Sequence, residues 1–264
     1  MRTFVLTSML ALAASSAAAQ VPDTVFIEEL TWTEVRDAIA AGTTTVILAT
    51  GGTEQNGPHM VLGKHNFIIR YTAEQIARRL GRTLVAPIVA YVPEGNLDPP
   101  SGHMRYPGAI TLPNEYFTKL LEFAARSFRV NGFRDIVLIG DSGGNQNGMQ
   151  AVAEMLNREW AGSGVRLHFV PEYYRGTGFS EWLMAGGERK EDIGTHAGIT
   201  DTSQLMAIHP QHVRKDKLAD RGGFEGSGVS GNPTRASVEY GKKGLELKVE
   251  TTVRRLKEMM AARP

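Results

Sequence analysis

Two aliphatic runs constrain this chain more than anything else in it: Thr45-Val-Ile-Leu-Ala49 and Ile136-Val-Leu-Ile139, each of which stops at a polar, glycine-rich loop. Runs that are apolar at odd and even positions alike are strands buried on both faces, as in parallel sheets covered by helices. The segments between them have helical patterns. Thr31 to Ala41 carries a Thr before Trp32, an acidic first turn, Val35 and Ile39 at helical spacing, and Gly42 at its end. From Asn66 onward Phe67, Tyr71, Ile76 and Leu80 recur at helical intervals before Gly81. Phe117, Leu120, Leu121, Ala124 and Phe128 share one helical face, and Gln146 to Trp160 reads as the next helix. Leu84 to Val89 and Arg166 to Val170 are two further strand-like runs; Tyr173 to Gly187 reads as irregular, and Thr202 to Ile208 and Ala236 to Met260 as helical. The alternation predicts an α/β protein, three-layer α/β/α, with a small, mainly parallel central sheet.

Composition narrows the function classes. A formal net charge of +1 with 22% charged residues leaves no footprint for nucleic acid or an acidic membrane, and the absence of cysteine excludes disulfides and thiolate chemistry. Arg2, the apolar stretch Phe4 to Ala14 and the small residues Ala17 to Ala19 before Gln20 have the pattern of a secretory signal peptide, residues 1–19. The apolar run is shorter than the roughly 20 residues of a spanning helix. The expectation is therefore a single catalytic domain over 20–264, periplasmic or secreted, with no membrane contact after cleavage.

In open α/β sheets ligands bind beyond the carboxyl ends of the strands, so chemistry is expected in the loops after the two aliphatic runs. Glu54, Asn56, His59, Lys64 and His65 crowd the first loop, and Asp141 and Ser142 follow the second run. Tyr91 to Pro107 is a proline- and glycine-rich loop long enough to belong to a site. Gly143-Gly144 opens a helix but lacks the lysine and spacing of a phosphate-binding loop, which argues against nucleotides.

These motifs resemble those of the creatininase (creatinine amidohydrolase) family, in the family's order and over most of the chain. Gly51-Gly-Thr-Glu-Gln-Asn-Gly-Pro-His-Met-Val-Leu-Gly-Lys-His65 is similar to G-S-x-E-Q-H-G-P-H-L-P-L-x-T-D, and Ser101 to Leu112 to E-H-x-x-F-P-G-T-x-S-L. Gly140 to Asn145 falls where the family has N-G-H-G-G-N, Thr195 to Ser203 on H-A-G-E-x-E-T-S, and Gly228 to Gly241 on G-V-x-G-D-P-x-x-A-T-x-x-x-G. The resemblance implies a pair of divalent metals, zinc or manganese, held by Glu, His, Asp, His and an acidic residue. Of these only Glu54 is kept; Asn56, His65 and Ser142 replace the next three, and Gly144, Ile199 and Asp201 are the candidates near the last.

One divalent ion, zinc or manganese, held by Glu54, His65 and Asp141 is the ligand set this leaves, with a water at an open position. A metal-free pocket in which Glu54, Asn56 and His65 bond to one another is the alternative. His196, on the H-A-G motif, is by resemblance the catalytic acid beside Glu54, though it also stands where it would cap the helix entered at Thr202. His59 is expected to orient Glu54 or the loop. Asn56, His103 and Ser142 are expected to touch substrate; Trp182, with Tyr173 and Tyr174, either walls the pocket or makes subunit contacts. The expected function is hydrolysis of a C–N bond in a small amide, cyclic amides included, by metal-activated water. Two alternatives stand: a metal-independent acid/base enzyme for lactone opening, isomerisation or elimination, and an extracytoplasmic binding protein for small molecules. The resemblance also implies a homo-oligomer, often a hexamer.

Overall fold

The computed structural model describes residues 22–218 and 224–262. The stretch read as a signal peptide lies outside them. Four strands, β1 (Thr45–Thr50), β2 (Thr83–Val85), β3 (Asp135–Gly140) and β4 (Arg166–Phe169), form one sheet in the order β2-β1-β3-β4, all parallel. The central pair runs in register from Thr45 opposite Asp135 to Thr50 opposite Gly140.

Because side chains alternate across a strand, each aliphatic run feeds both layers. Val46, Leu48, Ile136 and Leu138 pack with Leu84 and Leu167 against α3 (Asn114–Val130) and α4 (Gln146–Glu159), around Phe117, Leu121, Met149, Leu156 and Trp160. Ile47, Ala49, Val137 and Ile139 face the other way, onto α2 (Lys64–Leu80) and α9 (Val238–Ala261), with Ile69, Ile76, Val249 and Leu256. A short amino-terminal helix, α1 (Trp32–Ala40), is started by a capping box in which Thr31 and Glu34 satisfy each other's backbone N–H groups. Among the described residues no helix is long and apolar enough to cross a membrane.

The structure corrects three local expectations. The segment read as irregular after Tyr173 contains a helix, α5 (Phe179–Ala185), started at Gly178 with φ +78°; α6 (Lys190–Ile193), α7 (Ile199–Ile208) and α8 (Phe224–Ser227) complete the series. The run from Leu84 to Val89 is a strand only over Thr83–Val85, beyond which a single bridge joins Val89 to Thr50. Helix α2 starts at Lys64, not at Asn66, so Lys64 and His65 belong to its first turn. Cations at a helix N-terminus oppose the helix dipole. That cost is met by the carboxylates those side chains reach.

Candidate active site

The chain leaves β1 for β2 on one side and places β3 on the other, so the sheet's switch point lies between the ends of β1 and β3. Asn66 Oδ1 accepts from the Gly52 N–H at 3.0 Å, and a Cβ on Gly51 would sit 2.1 Å from that oxygen, which is why the β1 loop needs glycine there. Asn145 Nδ2 donates to Thr50 Oγ1 at 2.8 Å and to the Gly51 carbonyl at 2.9 Å, tying the β3 loop to the β1 loop. The H-A-G turn is set by Ala197 in the left-handed region, φ +53°, with its N–H on Asp201 Oδ2 at 2.8 Å. Such strain in a non-glycine residue persists only where surrounding contacts over-determine it. Here Ser230 N–H donates to the His196 carbonyl at 2.8 Å.

At the switch point carboxylates and cations alternate. His65 Nε2 lies 2.8 Å from Glu54 Oε1 and its Nδ1 2.7 Å from Asp141 Oδ2, while Lys248 Nζ, reaching in from α9, lies 2.5 Å from Asp141 Oδ1. Lys64 Nζ lies 2.9 Å from Asp201 Oδ2 and 3.5 Å from Glu54 Oε1. Burial works to raise the Glu54 carboxyl, but His65 and Lys64 outweigh it and hold it well below the usual carboxylate range. Burial and Lys64 work to lower His65, yet Glu54 and Asp141 carry it up to about 9, so the ring is an imidazolium at neutral pH.

A pH dependence follows. With an unfolded value near 6.5 and a folded value of about 9, the His65 contribution to stability is complete below pH ~6.5 and is lost as pH rises through about 9. Urea unfolding is expected to give a lower stability at pH 9.5 than at pH 6.5, and His65→Gln to remove much of that slope. An unchanged slope in the variant would sink the assignment.

The other face of Glu54 meets neutral groups. His103 Nε2 is 3.1 Å from Glu54 Oε2 and His196 Nδ1 is 3.6 Å from Glu54 Oε1, with the two rings 4.8 Å apart. Burial lowers both histidines, His196 to about 4 with Lys64 adding to the effect, so both rings are neutral. His196 Nε2 lies 2.9 Å from the Gln55 carbonyl and 3.2 Å from the Gln55 side-chain amide nitrogen, and its Nδ1 faces Glu54. Glu94, from the loop after β2, is raised to about 9 by burial and by the charge of Glu54, to which it is hydrogen-bonded. It is a protonated carboxyl at neutral pH. The cleft over these groups is about 970 Å³ and is bounded further by Ser142, Gly143, Gly144, Tyr174, Arg175 and Phe179.

Several sequence expectations change here. The structure brings Glu54, His65 and Asp141 together, but both His65 nitrogens already contact carboxylates and both Asp141 oxygens are engaged, so this set offers an ion little beyond Glu54. The group that can hold an ion is Glu54, His103 and His196, whose ligand atoms all lie within 4.8 Å of one another. His103 faces Glu54 Oε2 and His196 faces Glu54 Oε1, and one carboxylate with two neutral imidazoles is a known catalytic zinc set. A single divalent ion fits these residues. His196, neutral and bonded to Gln55, is a ligand candidate instead of the acid. Asn56 is fully buried, its amide donating to the carbonyls of Glu54 and Val61, and does not line the cleft. His59 contacts Thr202 Oγ1 at 3.0 Å instead of orienting Glu54. Trp182 stacks near Phe179 and Tyr240 in a separate groove, and Tyr174 takes the wall position. His103 and Ser142 both line the cleft.

Sequence reading overlooked Glu94 and Lys248 as members of the site, and named Lys64 and Asp201 near it without giving either the role of a buried ion pair. Lys64 adjoins His65 in the motif, and that adjacency was a usable signal; Lys248 lies in an amphipathic helix and carried none.

Known proteins resemble this chain over most of its length. The family model "Creatininase: creatinine amidohydrolase" matches residues 28–256. A mycofactocin precursor peptide peptidase of Mycobacterium tuberculosis is 26% identical over 82% of this chain and 86% of its own length. The creatinine amidohydrolase of Pseudomonas putida is 27% identical over 74% of this chain and 76% of its own. Among solved structures, a creatininase variant of zinc–zinc type superposes with a TM-score of 0.77 at 23% identity, covering 90% of this chain and 99% of that one. A manganese creatininase gives 0.76 at 24%, covering 89% and 98%. The chain belongs to the creatininase family of hydrolases.

Proposed function

We propose that this protein hydrolyses a C–N bond of a small amide, working outside the cytoplasm with one divalent ion, zinc or manganese, at Glu54, His103 and His196. The observation that carries the reading is the meeting of an ionised carboxylate and two neutral imidazoles at 3.1 and 3.6 Å in a cleft of about 970 Å³. An ion bound there polarises the amide carbonyl and brings the pKa of water toward neutrality.

The remaining work falls to the chain itself. Gln55 holds His196 by its Nε2, and His65 with Lys64 holds Glu54 Oε1, so the ligands are oriented by partners behind them. Lys64 lines the cleft and brings positive charge to the side where negative charge grows as the carbonyl carbon becomes tetrahedral. Glu94 holds the proton that the departing nitrogen takes, because burial beside Glu54 keeps its carboxyl protonated. Tyr174 and Phe179 close the apolar side over a small substrate.

Chelation is expected to abolish turnover across a panel of small linear and cyclic amides, and added zinc or manganese to restore it. Glu94→Gln, which keeps the shape but cannot transfer the proton, is expected to lower kcat by about 10²- to 10⁴-fold with little change in KM. A second reading rests on one observation, that Glu54 and Glu94 have their carboxyl pKa values driven apart, as in enzymes that pair an acid with a base without a metal. Activity that survives chelation in ion-free protein would favour it.

A further inference from the structure

We propose that the buried Lys64 supplies as fixed protein charge what a second divalent ion would otherwise supply, so that the site saturates at one ion per chain. The inference rests on the single-ion reading above and adds to it.

Lysine is rarely buried completely, yet the Lys64 side chain has no exposed surface and stands at the base of the cleft. Its ammonium lies 2.9 Å from Asp201 and 3.5 Å from Glu54. One residue on, the His65 ring bridges Glu54 and Asp141 at 2.8 and 2.7 Å. With Lys248 on Asp141, the side chains of Lys64, His65 and Lys248 between them engage all three carboxylates, Glu54, Asp141 and Asp201. Four of the six oxygens of these three carboxylates are already committed. Both oxygens of Asp141 go to Lys248 and His65, Asp201 Oδ2 goes to Lys64 and the Ala197 N–H, and Glu54 Oε1 goes to His65 and Lys64. An added divalent ion would also stand beside a buried ammonium that no solvent screens. The solved relative of zinc–zinc type shares this fold, so the scaffold itself does not exclude a pair.

Zinc and manganese binding to the purified full chain, measured by equilibrium dialysis with elemental analysis, is the test. Wild type is expected to saturate at about one ion per chain, and the double variant Lys64→Met with His65→Asp to take up a second, with a larger rise in Tm on adding the ion than wild type shows. Lys64→Arg, which keeps the charge, is expected to remain at one. Two ions in wild type would overturn the proposal whether or not the double variant folds, and so would a folded double variant that stays at one. Wild type that binds no ion would instead overturn the single-ion reading beneath it, so the two failures are told apart by count.

Discussion

Glu54→Gln is expected to lower turnover by at least about 10³-fold, equivalent to roughly 4 kcal/mol of lost transition-state stabilisation. The substitution is nearly isosteric, so its effect isolates charge. In the native site Glu54 is the one group that faces the imidazolium of His65, the ammonium of Lys64 and the neutral rings of His103 and His196 together. An amide in its place leaves the two cations without their common anion and removes the only carboxylate of the candidate ion site. Ion content should fall with activity, and far-UV circular dichroism should stay near wild type if the fold persists. A variant that retains a tenth of wild-type kcat/KM would sink the assignment of Glu54 as the centre of the site.

The largest expected loss of stability comes from Asp201→Ala. Lys64 is fully buried and Asp201 is its nearest counter-charge, at 2.9 Å. Removing one partner of a buried ion pair leaves an uncompensated charge and typically costs about 3–5 kcal/mol. The same carboxylate accepts the Ala197 N–H in the left-handed turn that presents His196, so the turn loosens as well. For a chain of this size the loss corresponds to a Tm lowered by roughly 10 °C. Asp201→Asn, which keeps an acceptor for Ala197 but not the charge, is expected to fall between the two. Thermal unfolding measures both, and an Asp201→Ala protein melting within about 2 °C of wild type would show that Lys64 finds compensation elsewhere.

Much of the architecture is written locally. Val46 to Ala49 and Ile136 to Ile139 are apolar at every position because the sheet is covered on both faces, and a two-residue period is enough to assign each side chain to its layer. The glycines after β1 and β3 mark where atoms of other segments approach closely, and the polar residues that follow them mark the site. Where local pattern failed, a partner from far along the chain was responsible. Helix α5 follows a left-handed glycine inside a segment rich in breakers, and Trp182 packs on Tyr240 of α9 instead of on the cleft. Glu94 lies among prolines and glycines, where nothing in the neighbouring residues announces a buried carboxyl.

From the sequence by itself come the layered sheet, the two loops that carry chemistry and the membership of Glu54, His103 and His196 in one site. Only the tertiary structure decided that His65 bridges Glu54 and Asp141, that burial lowers His103 and His196, and that Lys64 stands against Glu54 and Asp201. The reason is that protonation and ligation depend on burial and on distances of a few ångströms through space. Those distances join α2 to α7, and α9 to the β3 loop, across chain separations that no residue-by-residue pattern encodes.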